Sequence, residues 1–362
     1  PLWFAPKGTP AKEDATFRRS NAHPHVAEEC RAVRESCGLI EISNYGKFEI
    51  TGPGAAEWLS KIMACKVPAV GRIALSPMLN DAGRLIGDFT LCRVSADRFF
   101  VVGTYAAEVF YMRWFEQHLP PTGVTVRPCA MEYLGLSVAG PQSRALLQKL
   151  VDHDLSTAAF PFMSFARMDV GMVPALVGRV SFTGEMGYEM WVTSEYLRAL
   201  YDLLHEAGKA HGLKNFGGRA LNSLRLEKSF GNWAREFRPI YGPYEAGLGR
   251  FVHLDKPDFI GKDAAAAEKA SGGVRKLITL AVDAKDADAI GDEPIWHGDK
   301  VVGWVTSGGY GHTVGKSIAL GYVDNAVAGE TNGFAVELLG ERRAAVRSAG
   351  ALVDPQGLRM RA

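Results

Sequence analysis

Apolar residues recur at helical spacing over 26–38, where Val26, Cys30, Val33 and Cys37 share one face and Gly38 supplies a stop. The period then changes. Phe48-Glu49-Ile50-Thr51 reads as a strand running into the Gly52-Pro53-Gly54 turn, and residues 55–64 as a second helix. Residues 72–79 and 85–94 read as two strands joined by Asn80-Asp81-Ala82-Gly83, a hairpin signal. A third strand follows at 99–102 and an amphipathic helix at 105–118. The pattern next predicts a strand at 133–139, a helix at 142–151, and longer helices at 194–212 and 217–228. Ile50-Thr51-Gly52-Pro53 before one helix is echoed by Val138-Ala139-Gly140-Pro141 before another, which points to two related α+β units.

The texture changes after Ser271-Gly272-Gly273. Short β-rich runs at 276–283, 301–306, 318–323, 334–338 and 342–347 predict a small antiparallel barrel or sandwich. The chain therefore divides into an α+β region over 1–270, with two interleaved lobes of which one lies around 46–129, and a β unit over 274–362.

Composition narrows the function classes. A length of 362 residues sets a prior of two to three domains. Net charge is only +1, against nucleic-acid or membrane-surface binding driven by bulk charge. With 47% hydrophobic and 22% charged residues, disorder is excluded. No apolar run approaches the roughly 18 residues of a spanning helix. Five cysteines without a C-x-x-C pair argue against a disulfide framework or structural zinc and for reduced thiols in a reducing compartment. The start at Pro1-Leu2-Trp3, with neither Met nor a signal pattern, is expected of a fragment or processed chain.

Four stretches offer chemistry. Asp88 sits in an apolar strand between Gly87 and Phe89, where a carboxyl either faces solvent from an edge strand or serves as a proton-handling group. Glu189, between Tyr188 and Met190 after Thr183-Gly184-Glu185, has the same two readings; if buried, it suits a planar ring with paired N–H donors. Arg225, in Leu224-Arg225-Leu226-Glu227, is either a solvated helix charge or a partner for a ligand. Tyr241-Gly242-Pro243-Tyr244-Glu245-Ala246-Gly247-Leu248-Gly249 makes a loop able to close over a flat ring. His23 and His25 lack companions for a metal site, and Gly247-Leu248-Gly249 lacks the third glycine of a dinucleotide fingerprint.

Together these stretches resemble the glycine-cleavage T-protein family of folate-dependent aminomethyltransferases, and within it the C-terminal half of dimethylglycine and sarcosine dehydrogenases. Pro1-Leu2-Trp3-Phe4-Ala5-Pro6, Phe17-Arg18-Arg19-Ser20-Asn21, Thr183-Gly184-Glu185 with Gly187-Tyr188-Glu189, Glu245-Ala246-Gly247-Leu248, and Gly303-Trp304-Val305-Thr306-Ser307-Gly308-Gly309-Tyr310-Gly311 carry the resemblance, which covers essentially the whole chain. It implies a three-lobed α+β fold with a C-terminal antiparallel β-barrel and tetrahydrofolate in a central channel. It implies Asp88 as the catalytic aspartate, taking up protons, with Glu189, Arg225, Tyr188 and Tyr244 holding the cofactor, and no metal. Gly87, Gly103, Phe182 and Met186 depart from residues common in the aminomethyltransferases and favour the dehydrogenase-associated branch. In that branch the carbon of an oxidised dimethylglycine- or sarcosine-type N-methyl amine forms 5,10-methylenetetrahydrofolate, and FAD belongs to a separate N-terminal half or partner. The implied partners are that flavin dehydrogenase unit and a small N-methylated substrate, with no nucleic acid or membrane, in the cytoplasm or a mitochondrial matrix. The alternatives are a stand-alone demethylase making 5-methyltetrahydrofolate and a non-enzymatic folate-binding regulator.

Overall fold

A computed structural model describes residues 1–362. Helix α1 (His23–Glu35) leads into strands β1 (Cys37–Glu41) and β2 (Tyr45–Thr51), helix α2 (Ala55–Ile62), and strands β3 (Ile73–Leu79), β4 (Leu85–Ser95) and β5 (Arg98–Thr104). Helix α3 (Glu108–His118), strands β6 (Thr125–Pro128) and β7 (Tyr133–Ala139), helix α4 (Ser143–Gln148), and strands β8 (Phe165–Val170), β9 (Val173–Gly178) and β10 (Gly187–Thr193) follow. Then come α5 (Leu197–Gly208), β11 (Leu213–Asn215), α6 (Gly218–Glu227) and α7 (Lys262–Ser271). The last part holds β12 (Arg275–Val282), β13 (Pro294–His297), β14 (Lys300–Gly311), β15 (Lys316–Asp324), β16 (Phe334–Leu338), β17 (Glu341–Ser348) and α8 (Leu358–Arg361).

The strands form a five-stranded sheet, β3-β4-β5-β2-β6, a six-stranded sheet, β11-β1-β7-β10-β9-β8, and a closed barrel, β12-β15-β14-β13-β16-β17. The chain has the three-lobed α+β fold with its antiparallel barrel. No helix is long and apolar enough to cross a membrane.

Alternation along the strands explains the layering. In α2 the buried Ala55, Trp58, Leu59 and Ile62 fall on one helical face, which packs with Tyr111 and Phe115 of α3 on Phe48 and Phe89 of the five-stranded sheet. Helices α4 and α5 cover the six-stranded sheet in the same way, through Leu146, Leu147, Leu200 and Leu204. The two bare faces then meet, with Cys92, Phe100 and Val102 from one sheet against Phe165, Leu176 and Trp191 from the other. The echo of glycine-proline turns is real structure: Gly52 and Gly140 each hold a positive φ, +121° and +129°, and each starts the helix that covers its own sheet.

The end of the first helix differs from the sequence reading. The first helix ends at Glu35, and Cys37 already belongs to β1. Gly38 is not a helix stop. A Cβ there would lie 2.5 Å from Val33 and 2.6 Å from Phe216, so the strand needs glycine to pass this close to its neighbours.

Candidate active site

Asp88 and Glu189 come from the two facing sheets. In β4 the pairing steps from Leu79↔Leu85 to Met78↔Gly87, so Ile86 is an extra residue, a β-bulge. Beyond it Phe89 and Leu91 point to the helices, while Asp88 and Thr90 point to the opposite sheet. In β10, Tyr188 and Met190 point to α4 and α5, and Glu189 and Trp191 point back. Below them Cys92 and Trp191 close the inter-sheet core. Above, the sheets diverge around a cavity of about 1030 Å³ into which both carboxyls project. Strand β4 lies between β3 and β5, and β10 between β7 and β9, so neither acid occupies a solvent-facing edge.

Helix α6 makes a third wall. Gly218, Leu221, Asn222 and Arg225 line the cavity at the 1-4-5-8 spacing of one helical face. Arg225 is 3% exposed, which removes the solvated-charge reading. Its guanidinium donates to Asn222 Oδ1 at 2.8 and 3.1 Å and to the Phe230 carbonyl at 2.9 Å, and lies 3.6 Å from the buried Glu236 carboxylate. Glu236 is itself held by the Thr306 hydroxyl and by Asn232 N–H. The barrel fixes this wall, because Ser223 donates to the Tyr310 carbonyl and Asn222 to the Gly308 carbonyl of β14.

The tyrosines of the sequence reading do not join the site. Period two sends Tyr188 to the opposite side of β10 from Glu189, where it is fully buried between sheet and helices. Tyr244 packs its ring on Gly249 behind the cavity wall, and only Ala246, Gly247 and Leu248 of its loop reach the cavity. Glu245 is structural: its carboxylate accepts N–H donors from Val274 and Arg275 and thereby ties the loop to β12.

The cavity is electrically polarised. Burial raises Asp88 to about 6, and the nearby Glu236 charge adds to the rise. Burial raises Glu189 to about 7. Neither carboxyl accepts a hydrogen bond from another residue. Arg250, Arg347 and Arg361 also line the cavity, and none has a carboxylate within ion-pair distance. Arg347 Nε is buried without a partner. Burial, and then the charge of Arg361, lowers the Arg250 guanidinium from its ordinary value. The cavity thus has unpaired acid groups on its two sheet walls and unpaired cations elsewhere on its lining. Sequence reasoning passed over all three arginines, since they lie in three separate elements, Arg250 in a short 3-10 turn, Arg347 in β17 and Arg361 at the end of α8, and over Tyr45, at the edge of a strand read as starting later.

The GCVT N-terminal domain matches residues 1–256, and the glycine cleavage T-protein C-terminal barrel domain matches residues 275–354. The chain belongs to the glycine cleavage T-protein family. It is 38% identical to human mitochondrial dimethylglycine dehydrogenase over 96% of its own length, while spanning only 40% of that relative. It is 31% identical to an aminomethyltransferase of Desulfitobacterium hafniense, covering 84% of each chain. These relatives are enzymes. The aminomethyltransferase T structure from Bartonella henselae shares the fold, with a TM-score of 0.83 at 23% identity over 95% of both chains.

Proposed function

We propose that this chain is a tetrahydrofolate-dependent one-carbon transfer module, forming 5,10-methylenetetrahydrofolate from the carbon of an oxidised N-methyl amine supplied by a flavin-bearing unit. The observation that carries this reading is the charge pattern of the cavity. A reduced pterin has a donor-rich edge, which matches two unpaired carboxyls, and the folate tail ends in carboxylates, which match unpaired arginines. Tetrahydrofolate supplies the nucleophilic nitrogens that receive the carbon. As the amine leaves with one of the two N–H protons, the other must pass to a base, and Asp88 is placed to take it. The Asp88 anion also favours positive charge developing beside it. Glu189 accepts from the pterin N–H edge, and Arg225, fixed by Asn222, Phe230 and Glu236, presents its remaining surface to the ring.

The test is to incubate the purified chain with tetrahydrofolate and formaldehyde, then with N-methyl donors, with and without an FAD-bearing dehydrogenase unit. Methylenetetrahydrofolate forming faster than in the uncatalysed condensation supports the reading. Methyl transfer from a sulfonium or ammonium donor without flavin points to a demethylase instead, and folate binding without turnover to a regulator.

Glu189→Gln is expected to weaken reduced-folate binding by roughly ten- to a hundredfold, matching the 1.5–3 kcal/mol of a charged hydrogen bond. Calorimetry showing an unchanged dissociation constant would refute the role. The same substitution should stabilise the ligand-free fold. Because burial raises Glu189, the folded chain binds more protons than the unfolded chain between the ordinary carboxyl range and about 7, and stability falls as pH rises through that window. The variant should therefore melt above the parent at pH well over 7 and lose that advantage as the solution is acidified below the ordinary carboxyl range.

A further inference from the structure

Tyr45 feels the charges of both cavity acids, Glu189 and Asp88. It opens β2, pairing with Thr104 of β5, and Thr90 of β4 pairs with Val102 of β5. Continuing that register two residues sets Asp88 beside Thr104. Tyr45, Thr104 and Asp88 thus form one row across three adjacent strands spaced about 4.8 Å apart, and all three line the cavity. From the opposite sheet, Trp191 meets the Tyr45 ring edge-on, with centroids 6.4 Å apart and planes at 85°. Trp191 is two residues from Glu189 on the same face of β10, and the Glu189 charge reaches the phenol that this contact seats. The hydroxyl has no hydrogen-bond partner within the protein, and neither has the Glu189 carboxyl.

We propose that Tyr45 is a positioning residue of this cavity: its hydroxyl donates to the Glu189 carboxylate, holding that group anionic and aimed at the donor edge of the ligand. The inference rests on the folate reading above. Contacts of this kind are commonly long in a ligand-free site and tighten on binding. Besides Tyr45, the acids Asp88 and Glu189 and the arginines Arg225, Arg250, Arg347 and Arg361 line the cavity, and the buried Cys92 thiol of β4 feels the Glu189 charge. Glu189 of β10 and Asp88 of β4 face the phenol, while Arg225 of α6 faces the cavity with its charge directed to Glu236, whose own charge bears on Asp88. Burial and the two acids push the phenol upward, so it stays protonated, and hence a donor, throughout the range in which Glu189 titrates.

The test is Tyr45→Phe, which keeps the ring on Trp191 and removes only the hydroxyl. Binding of 5-formyltetrahydrofolate is followed by tryptophan fluorescence across neutral pH, and Glu189 is titrated directly by carboxyl carbon NMR of the ligand-free chain. The variant is expected to bind about three- to tenfold more weakly near neutral pH, with its acid limb moved up by about half to one pH unit. At alkaline pH, where Glu189 is ionised in both proteins, the curves should converge. In a Glu189→Gln background Tyr45→Phe should change binding little further. A Glu189 titration and an acid limb unmoved by Tyr45→Phe overturn the proposal, as does a pH-independent loss that persists in the Glu189→Gln background. If the parent chain binds no reduced folate, the folate reading fails, and the carboxyl titration still decides whether Tyr45 acts on Glu189.

Discussion

Asp88→Ala is expected to reduce one-carbon transfer by about 10²–10⁴-fold, the usual contribution of a general acid–base group, while reduced-folate affinity stays within about tenfold. The asymmetry follows from where Asp88 sits. Its side chain faces the cavity, so truncation removes a proton acceptor without opening a hole in the cores on either side of the sheets. Asp88→Asn is the sharper variant, since it keeps the shape and removes the basicity. The pH dependence follows in sign. Asp88 acts as an anion and is raised to about 6, so transfer by the parent protein should fall as pH drops through that value. The measurement is methylenetetrahydrofolate formation corrected for uncatalysed condensation, beside folate binding by calorimetry. Near-normal rates in both variants would sink the assignment. Rates that vanish together with binding would move Asp88 from proton transfer to ligand affinity.

The same residue shows how much of the site was legible in the sequence. An acid inside an apolar strand is conspicuous, but its direction is not written in the alternation, because the bulge at Ile86 shifts the period just before it. Glu189 poses a related problem. Both faces of β10 are buried, so Tyr188, Met190 and Trp191 give no polar contrast by which to tell its two sides apart. Period two alone, however, separates Tyr188 from Glu189, and that much was available. For Arg225 the cavity face of α6 was also readable, since Gly218, Leu221, Asn222 and Arg225 keep helical spacing; its partner Glu236, beyond the helix, was not.

Elements with strong local periods, such as α2, α3 and the β3–β4 hairpin, follow from the chain itself. The hairpin of β8 and β9, turning at Gly171-Met172, had a usable signal in its positive-φ glycine but was not read. The joining of β1 to β7 and of β7 to β10 depends on segments far apart in the chain, which local pattern does not encode. So the sequence marks which residues carry chemistry more readily than it marks what they face.

Arg34→Met is expected to destabilise the fold by on the order of 3–5 kcal/mol, the cost of stripping the partner from a buried charge pair. Arg34, at the end of α1, is 6% exposed and forks between two acids. One arm lies 2.8 Å from Glu185 in the loop before β10, and the other 2.7 Å from Glu227, which is 0% exposed at the end of α6. Glu227 also accepts the Thr313 and Val314 N–H groups from the turn between β14 and β15. A methionine of similar length fills the space but leaves the Glu227 charge without its cation. Arg34→Lys should fall between, because an ammonium keeps the charge and loses the fork. The exposed pair Arg198–Asp202 supplies the control, where Arg198→Met should cost less than about 1 kcal/mol. The effect should also reach the site. Arg34 lines no part of the cavity, yet it clamps Glu185, four residues before Glu189, to Glu227, two residues after Arg225. Folate affinity should therefore drop in Arg34→Met although no ligand contact is removed. Denaturant midpoints and folate titrations on the three variants check both parts. A folding midpoint for Arg34→Met no lower than that of Arg198→Met would show that the clamp does not hold the walls of the cavity together.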